Sequence, residues 1–275
     1  MDWVMERLEG RGVAGLTRLT GGYTNAAYVT KGETPFVVKV GRDKETLARE
    51  AVVLKQLKET GIAPRLLDTI ETEQALLVLM EFREGENAQK LLDTGFPAMS
   101  TIYFLLGKAL ASIHQVKCEL PKGESCDFNQ LDFLDRQLAD EASTWARDAG
   151  QEEAVLIHGD YGIHNALFDG NQVTILDWEW AESGSRYGDI AWVCWFAGLH
   201  YPEQAIRFGR VFLQGYQAVH PLHMSADLLK AHAVERVGRV LGRIAPDAID
   251  ARKEWERRLE WTLSTDLFER IIPGE

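Results

Sequence analysis

The sequence has little that would carry it into or across a membrane. Its longest nearly unbroken apolar stretch, Ala191 to Leu199, is too short to span a bilayer, and the start, MDWVMERLEG, lacks the basic-then-apolar order of a secretory signal. Cysteine is scarce. Cys118, Cys126 and Cys194 are scattered, forming neither a disulfide framework nor a CxxC metal site, which points to a reducing compartment and a cytoplasmic location. Basic residues are in deficit, 30 Lys+Arg against 42 Asp+Glu for a net charge of −12, which excludes a general nucleic-acid binder needing a basic face. Low-complexity runs and internal repeats are absent, and no obligate protein partner is evident. What is there is ordinary for a globular protein: 275 residues, 45% hydrophobic and 26% charged, enough for one large domain or two lobes with real cores.

The charge is unevenly spread. Residues 1–84 carry 12 Lys+Arg against 13 Asp+Glu, residues 85–200 carry 7 against 18, and residues 201–275 carry 11 against 11. An acidic middle favours a cationic small molecule drawn in by its field. A solvated acidic surface that keeps the protein soluble is the alternative.

Short β-like runs open the chain, at Val13 to Thr20, Ala26 to Thr30, Phe36 to Val40, Leu66 to Ile70 and Ala75 to Met80. One helical pattern interrupts them, Asp43 to Thr60, with Leu47, Ala51, Leu54 and Leu57 on one stripe and Gly61 to stop it. After Gly85 the texture changes to long helical patterns: Ala98 to Val116, Phe128 to Ala149, Tyr187 to Leu199, Pro202 to His220, Ser225 to Ile244 and Ala248 to Arg270. A β-like island from Val155 to Leu176 breaks them. Residues 1–84 are therefore expected as a small sheet with one helix, and residues 85–275 as a mostly helical lobe, joined at Glu81 to Gly85.

The island carries the chemistry. Ala154 to Ile157 is an apolar run that empties into His158, Gly159 and Asp160; Asn165, a short apolar run, the turn Asp169-Gly170-Asn171 and a returning run to Leu176 follow, ending at Asp177. Asp-Gly between apolar runs signals a hairpin. Folding it pairs Asn165 with Thr174, Ile175 or Leu176, so Asp177 lies one to three positions beyond, and two oxygen donors can converge on one Mg²⁺. Asp160 and Asn165 stand in the pattern H-x-D-x-x-x-x-N. In phosphoryl transfer that spacing lets a carboxylate accept the proton of an attacking hydroxyl while the amide holds a metal on the phosphates. A structural loop in which both merely cap turns is the bland alternative. His158 is expected to fix the loop.

The first segment supplies matching parts. Alternation in PFVVKV places Phe36, Val38 and Val40 on one face and Val37 with Lys39 on the other. Glu50 falls on the apolar stripe of the following helix, where an unpaired carboxylate is costly. Pairing Glu50 with Lys39 satisfies both and aims the ammonium at nucleotide phosphates. In LTGGYTNAAYV, Gly21 and Gly22 permit close backbone approach to phosphates, while Thr24 and Asn25 add polar groups. The joint Glu81 to Arg83 offers backbone groups to an adenine edge.

With these parts in order, the chain resembles the aminoglycoside phosphotransferase and choline kinase-like family of small-molecule kinases, through GGYTN, VVKV, the Glu50 helix, LMEFREG, ALASIHQV, HGDYGIHN, ILDWEW and YGDIAW. The resemblance implies an α+β, bilobal protein-kinase-like fold, with a small antiparallel sheet plus one helix and a larger mostly helical lobe. It implies Asp160 as catalytic base, Asn165 and Asp177 as Mg²⁺ ligands, Lys39 on the phosphates of ATP or GTP bound between the lobes, and Glu50 as its anchor. It further assigns the Glu81 carbonyl and Arg83 amide to the base, Asp189 to bracing the catalytic loop and His114 to packing. HGD stands for HRD, DWE for DFG, and no APE-type segment follows, so a protein substrate is not expected. The expected acceptor is a small amine-bearing molecule, an aminoglycoside first, with a macrolide, a choline-like amine or a metabolite sugar as alternatives and antibiotic resistance as one possible role. Trp178, Trp180, Trp192 and Trp195 either stack on that acceptor or belong to the core. Two other classes compete: a metal-dependent phosphoesterase using His158, Asp160 and His164, and a non-catalytic nucleotide-binding module.

Overall fold

The computed structural model describes residues 2–19, 25–150 and 153–272. They form two compact units. The first joins the N-terminal segment through Thr94 to the return segment His164–Ala181; the second holds Gly95–Ile163 and the chain from Glu182 onward. Among the described residues no helix is long and apolar enough to cross a membrane.

The first unit begins with helix α1 (Asp2–Arg7), strands β1 (Gly15–Arg18), β2 (Ala26–Lys31) and β3 (Phe36–Gly41), and helix α2 (Lys44–Gln56). Strands β4 (Leu66–Glu71), β5 (Leu76–Glu81) and β6 (Glu86–Asn87) and helix α3 (Ala88–Asp93) follow. Five strands make one antiparallel sheet in the order β1-β2-β3-β5-β4. Period-two alternation sorts its residues: Phe36, Val38, Val40, Leu77 and Leu79 pack with Val4 and Leu8 of the N-terminal segment. Lys39, opposite Val78 in the β3–β5 register, therefore belongs to the other face. Helix α2 starts where the Asp43 carboxylate accepts the Thr46 amide, and it buries Leu47, Glu50, Ala51, Val53 and Leu54.

Helices α4 (Met99–Ile113) and α5 (Arg136–Arg147) and strand β7 (Ala154–Ile157) belong to the second unit. Strands β8 (Ala166–Phe168) and β9 (Val173–Ile175) return to the first and extend β6 into a three-stranded sheet. Strand β10 (Glu182–Ser185) pairs with β7, and helices α6 (Arg186–His200), α7 (Ala205–Gln217), α8 (Ala226–Arg243), α9 (Ile249–Ser264) and α10 (Leu267–Ile271) complete the second unit. Helix α8 packs against α5, α6, α9 and α10. Helices α4 and α7 cross at two glycines: a Cβ on Gly107 would fall 2.0 Å from the Phe212 carbonyl oxygen, and one on Gly215 2.0 Å from that of Phe104.

The elements depart from the sequence expectation in several places, the short strand β6 and helix α3 among them. Helix α1 has no signal in the sequence, because six residues with Val4 buried are stable only against the sheet. The pattern from Phe128 to Ala149 divides into a 3₁₀ turn and α5, since Asp135 caps the amides of Gln137 and Leu138 and starts the helix there. The pattern from Ala248 to Arg270 breaks at Thr265, whose backbone is extended, so that α10 can bury Leu267, Phe268 and Ile271. Strand β10, with the polar sequence ESGS, carries no strand signal and exists through its pairing with β7.

Candidate active site

In the first unit one ammonium faces three carboxylates. Lys39 Nζ lies 2.9 Å from Glu50 Oε2, 2.5 Å from Asp177 Oδ1 and 3.5 Å from Glu179 Oε2. Glu50 is 1% and Glu179 3% exposed, whereas the Asp177 side chain keeps 36% of its surface accessible. Burial alone would depress the Lys39 ammonium, but the three carboxylates outweigh it and hold its pKa above the usual lysine value. Burial pushes the Glu50 carboxyl up against the pull of Lys39. Glu50 also accepts the Trp178 amide at 3.3 Å.

Asp177 organises this convergence. It is the one non-glycine residue of positive φ among the described residues, at φ 64° and ψ 68°, a conformation that L-residues rarely adopt and that Asp tolerates better than most. The turn sends Trp178 into the core, where its Nε1 donates to the Ile175 carbonyl at 3.2 Å. Two residues on, Glu179 accepts the side-chain amide of Asn25 at 2.6 Å. Of the three hairpin pairings open to the sequence, the structure takes Asn165 with Leu176: the Leu176 amide donates to the Asn165 carbonyl at 2.8 Å, and Ala166 stands opposite Ile175. Asp177 is thus one residue beyond the partner of Asn165. One positive charge among three negative ones leaves this cluster short of cation. The partly accessible Asp177 and the Asn165 amide fit a hard divalent ion that takes oxygen ligands.

The remaining expected residues of this unit stand as follows. Glu81 ends β5 opposite Phe36; its carboxylate accepts the Arg65 amide at 3.2 Å and forms an ion pair with Arg83, whose Nε stands 3.2 Å away. Asn25 is engaged with Glu179. Gly21, Gly22 and Thr24 lie outside the described residues.

In the second unit β7 delivers Asp160 on a fixed loop. Gly159 sits at φ 81°, the left-handed region that glycine enters without strain. The His158 and Gly159 amides donate to the two carboxylate oxygens of Asp189 in α6, at 2.7 and 2.9 Å. Burial alone would raise the Asp189 carboxyl, but His114 and these amides hold it below the usual range. His114 is itself anchored by Tyr216, with Nδ1 2.9 Å from the hydroxyl. His158 is fully buried, and its Nδ1 accepts the Asp160 amide at 3.2 Å. Asp160 is half-buried, and its Oδ1 accepts the indole N–H of Trp192 at 3.0 Å. Replacing Asp189 with alanine is expected to leave two buried amides unsatisfied, at about 1–3 kcal/mol each. A thermal melt compared with the parent, together with faster hydrogen exchange at Gly159, checks it; an unchanged melt would remove Asp189 from its bracing role.

Sequence reasoning missed Glu179 and Arg236, and named Trp192 without its bond to Asp160. Glu179 takes part in the Lys39 cluster, and its signal was a second acid two positions after Asp177. Trp192 both joins the core, stacked 4.4 Å from Trp195, and bonds Asp160; its position three residues after Asp189 on α6 placed it near the loop. Arg236 is a buried arginine in the middle of α8.

Residues 15–222 match the model of the phosphotransferase enzyme family. The chain is similar to acyl-CoA dehydrogenase family member 10 of Mus musculus, 25% identical over 183 residues; the match covers 54% of this chain and only 16% of that protein's length. Among solved structures it resembles a choline/ethanolamine kinase family protein from Mesorhizobium loti, at 16% identity and a TM-score of 0.71, covering 98% of this chain and 97% of that one. It also resembles an amicoumacin kinase in complex with AMP-PNP, Ca²⁺ and Ami, at 14% identity and a TM-score of 0.69, covering 98% of this chain and 97% of that one. Those likenesses give the fold, the α+β arrangement of the kinase-like proteins, and the match over residues 15–222 gives the family: the chain belongs to the phosphotransferase enzyme family.

Proposed function

We propose that this phosphotransferase moves the γ-phosphate of ATP or GTP, as the Mg²⁺ complex, to a hydroxyl of a small molecule. The observation that carries the proposal is the Lys39 cluster, in which a buried ammonium is held by Glu50 while Asp177 stays accessible. Lys39 takes the nucleotide's β- and γ-phosphate oxygens, and Asn165 and Asp177 hold the metal. When bound, Mg²⁺ neutralises charge on the phosphate oxygens. Asp160, fixed through Asp189 and Trp192, accepts the proton of the acceptor hydroxyl. The acceptor oxygen forms its bond to the γ-phosphorus as the bond from that phosphorus to the bridging oxygen breaks, and the nucleoside diphosphate leaves with the electron pair. The main-chain groups of Glu81 and Arg83 serve the base.

The acidic middle of the sequence favours an amine-bearing, aminoglycoside-like acceptor. Most of those acids, among them Glu119, Glu124, Asp127, Asp132, Asp135, Asp140, Glu141 and Asp148, are exposed. Solvated charges of this kind steer an approaching cation without defining a pocket.

A coupled nucleotide-consumption assay with amino sugars, macrolides, choline-like amines, sugars and hydroxy acids tests the proposal. Consumption that requires both an acceptor and Mg²⁺ is expected. Phosphate release from simple esters without nucleotide would favour a phosphoesterase, and nucleotide binding without consumption across the panel a silent module.

A further inference from the structure

The second unit contains a cavity of about 570 Å³, walled by β7, β10, the first turn of α6, α5 and α8. That size suits a small molecule. Most of its charged groups are already engaged. Both Arg239 Nη atoms lie 2.5 Å from the carboxylate of Glu182, Glu235 stands 3.8 Å from Arg239 Nε, and Asp189 is committed to the loop amides. Arg236 differs. Its residue is 6% exposed, it lines the cavity, and its Nε is buried without a hydrogen-bond partner. Among the described residues no carboxylate lies within ion-pair distance of its guanidinium, whose carbon stands 5.5 Å from the centre of the Trp192 ring.

A buried cation without a counterion is destabilising by several kcal/mol. Burial and the neighbouring Arg239 depress the Arg236 guanidinium, while Asp160, Glu182 and Asp189 pull the other way from beyond contact distance. Guanidinium offers a rigid fork of donors that matches a carboxylate edge-on. Arg236 is the buried cation of this lining, Lys122 being exposed to solvent, and a monoanion suits it, because a dianionic phosphate would add charge to a wall that already carries Glu182, Glu235 and Asp189. The cavity's wall comes to the residue before Asp160. Gly159 lines it, and Trp192 touches Arg236 with its ring while its N–H holds Asp160.

We infer that this cavity holds the acceptor and that Arg236 receives a carboxylate of it, so that the acceptor is a hydroxy acid. The assignment to the acceptor rests on the phosphotransfer proposed above; binding of a carboxylate at Arg236 does not.

The test uses the full chain and unbranched ω-hydroxy carboxylates of two to six carbons, each with its uncharged amide as control. Without nucleotide, calorimetry is expected to show at least one carboxylate binding tenfold or more tightly than its amide, and Arg236→Gln to erase the difference. Gly188→Leu is a second variant that leaves every charge in place: an added Cβ there meets no atom within 4 Å, and the longer side chain is expected to fill the cavity and block binding. Arg236→Met also reads the free protein, which should melt at a higher temperature than the parent once the uncompensated charge is gone. Equal binding of carboxylate and amide, or an Arg236→Met variant that melts lower, would overturn the anion site. Carboxylate binding with no consumption of nucleotide would remove only the acceptor role, and turnover of amines with no carboxylate binding would overturn the hydroxy-acid assignment while keeping the kinase.

Discussion

Asp160→Asn is expected to lower turnover by roughly 10²- to 10⁴-fold, the range general-base catalysis ordinarily contributes, while nucleotide affinity stays within about twofold of the parent. Asparagine keeps the size of the side chain and still presents an oxygen to the Trp192 indole N–H, which now bonds Asp160 Oδ1 at 3.0 Å. The backbone of the loop is held independently, through Asp189 and the amides of His158 and Gly159. What the variant loses is a site for the proton of the attacking hydroxyl. The nucleotide phosphates are assigned to Lys39, Asn165 and Asp177, none of which is altered, so binding and chemistry should separate. Single-turnover kinetics with nucleotide and acceptor, beside a nucleotide titration and a melt, make the measurement. Turnover within about threefold of the parent would take Asp160 out of the base role; equal losses of binding and turnover would mean that the residue shapes the site as a whole.

How much of this was legible in the sequence depends on the range over which each feature is decided. The hairpin from Asn165 to Asp177 is local, set by Asp169-Gly170-Asn171 between two apolar runs, and its register fell within the range the sequence allowed. The Lys39–Glu50 pair was legible for another reason: each charge stands in an otherwise apolar pattern, which is costly unless the two meet. Glu179 escaped because it joins the cluster only through the left-handed turn at Asp177, which no pattern of side chains announces. Arg236 and the bond from Trp192 to Asp160 escaped because both residues lie on helical stripes that read as core, and they are core by exposure. Their polar ends acquire meaning from which helix packs beside which. A count of acids does not by itself distinguish a charged pocket from the charged outside of helices.

Lys39→Met should be among the most destabilising single substitutions in the first unit. It removes the cation from a cluster in which Glu50 and Glu179 are almost wholly buried, and breaking a buried pair by deleting one partner costs about 3–5 kcal/mol. For a chain of this size that corresponds to a melting temperature lower by roughly 10 °C. Glu50→Gln alone should cost much less, because the amide still accepts the Trp178 N–H while Lys39 keeps Asp177 and Glu179. The double variant should therefore be more stable than Lys39→Met, with a coupling of about 1–3 kcal/mol in the double-mutant cycle. The pH dependence has a definite sign. Burial already raises the Glu50 carboxyl above its ordinary value, and Lys39 is the partner that opposes the shift. Without Lys39 the folded chain binds a proton at Glu50 more readily than the unfolded chain does, so stability rises as pH falls toward the ordinary glutamate value. Denaturant melts of Lys39→Met at pH 7.5 and 5.5 should show the deficit shrinking at the lower pH, and the double variant should lose that dependence. A deficit unchanged across this interval would mean that Glu50 stays ionised in the folded variant even without Lys39, and the ion pair would then contribute far less to holding the first unit together than its geometry requires.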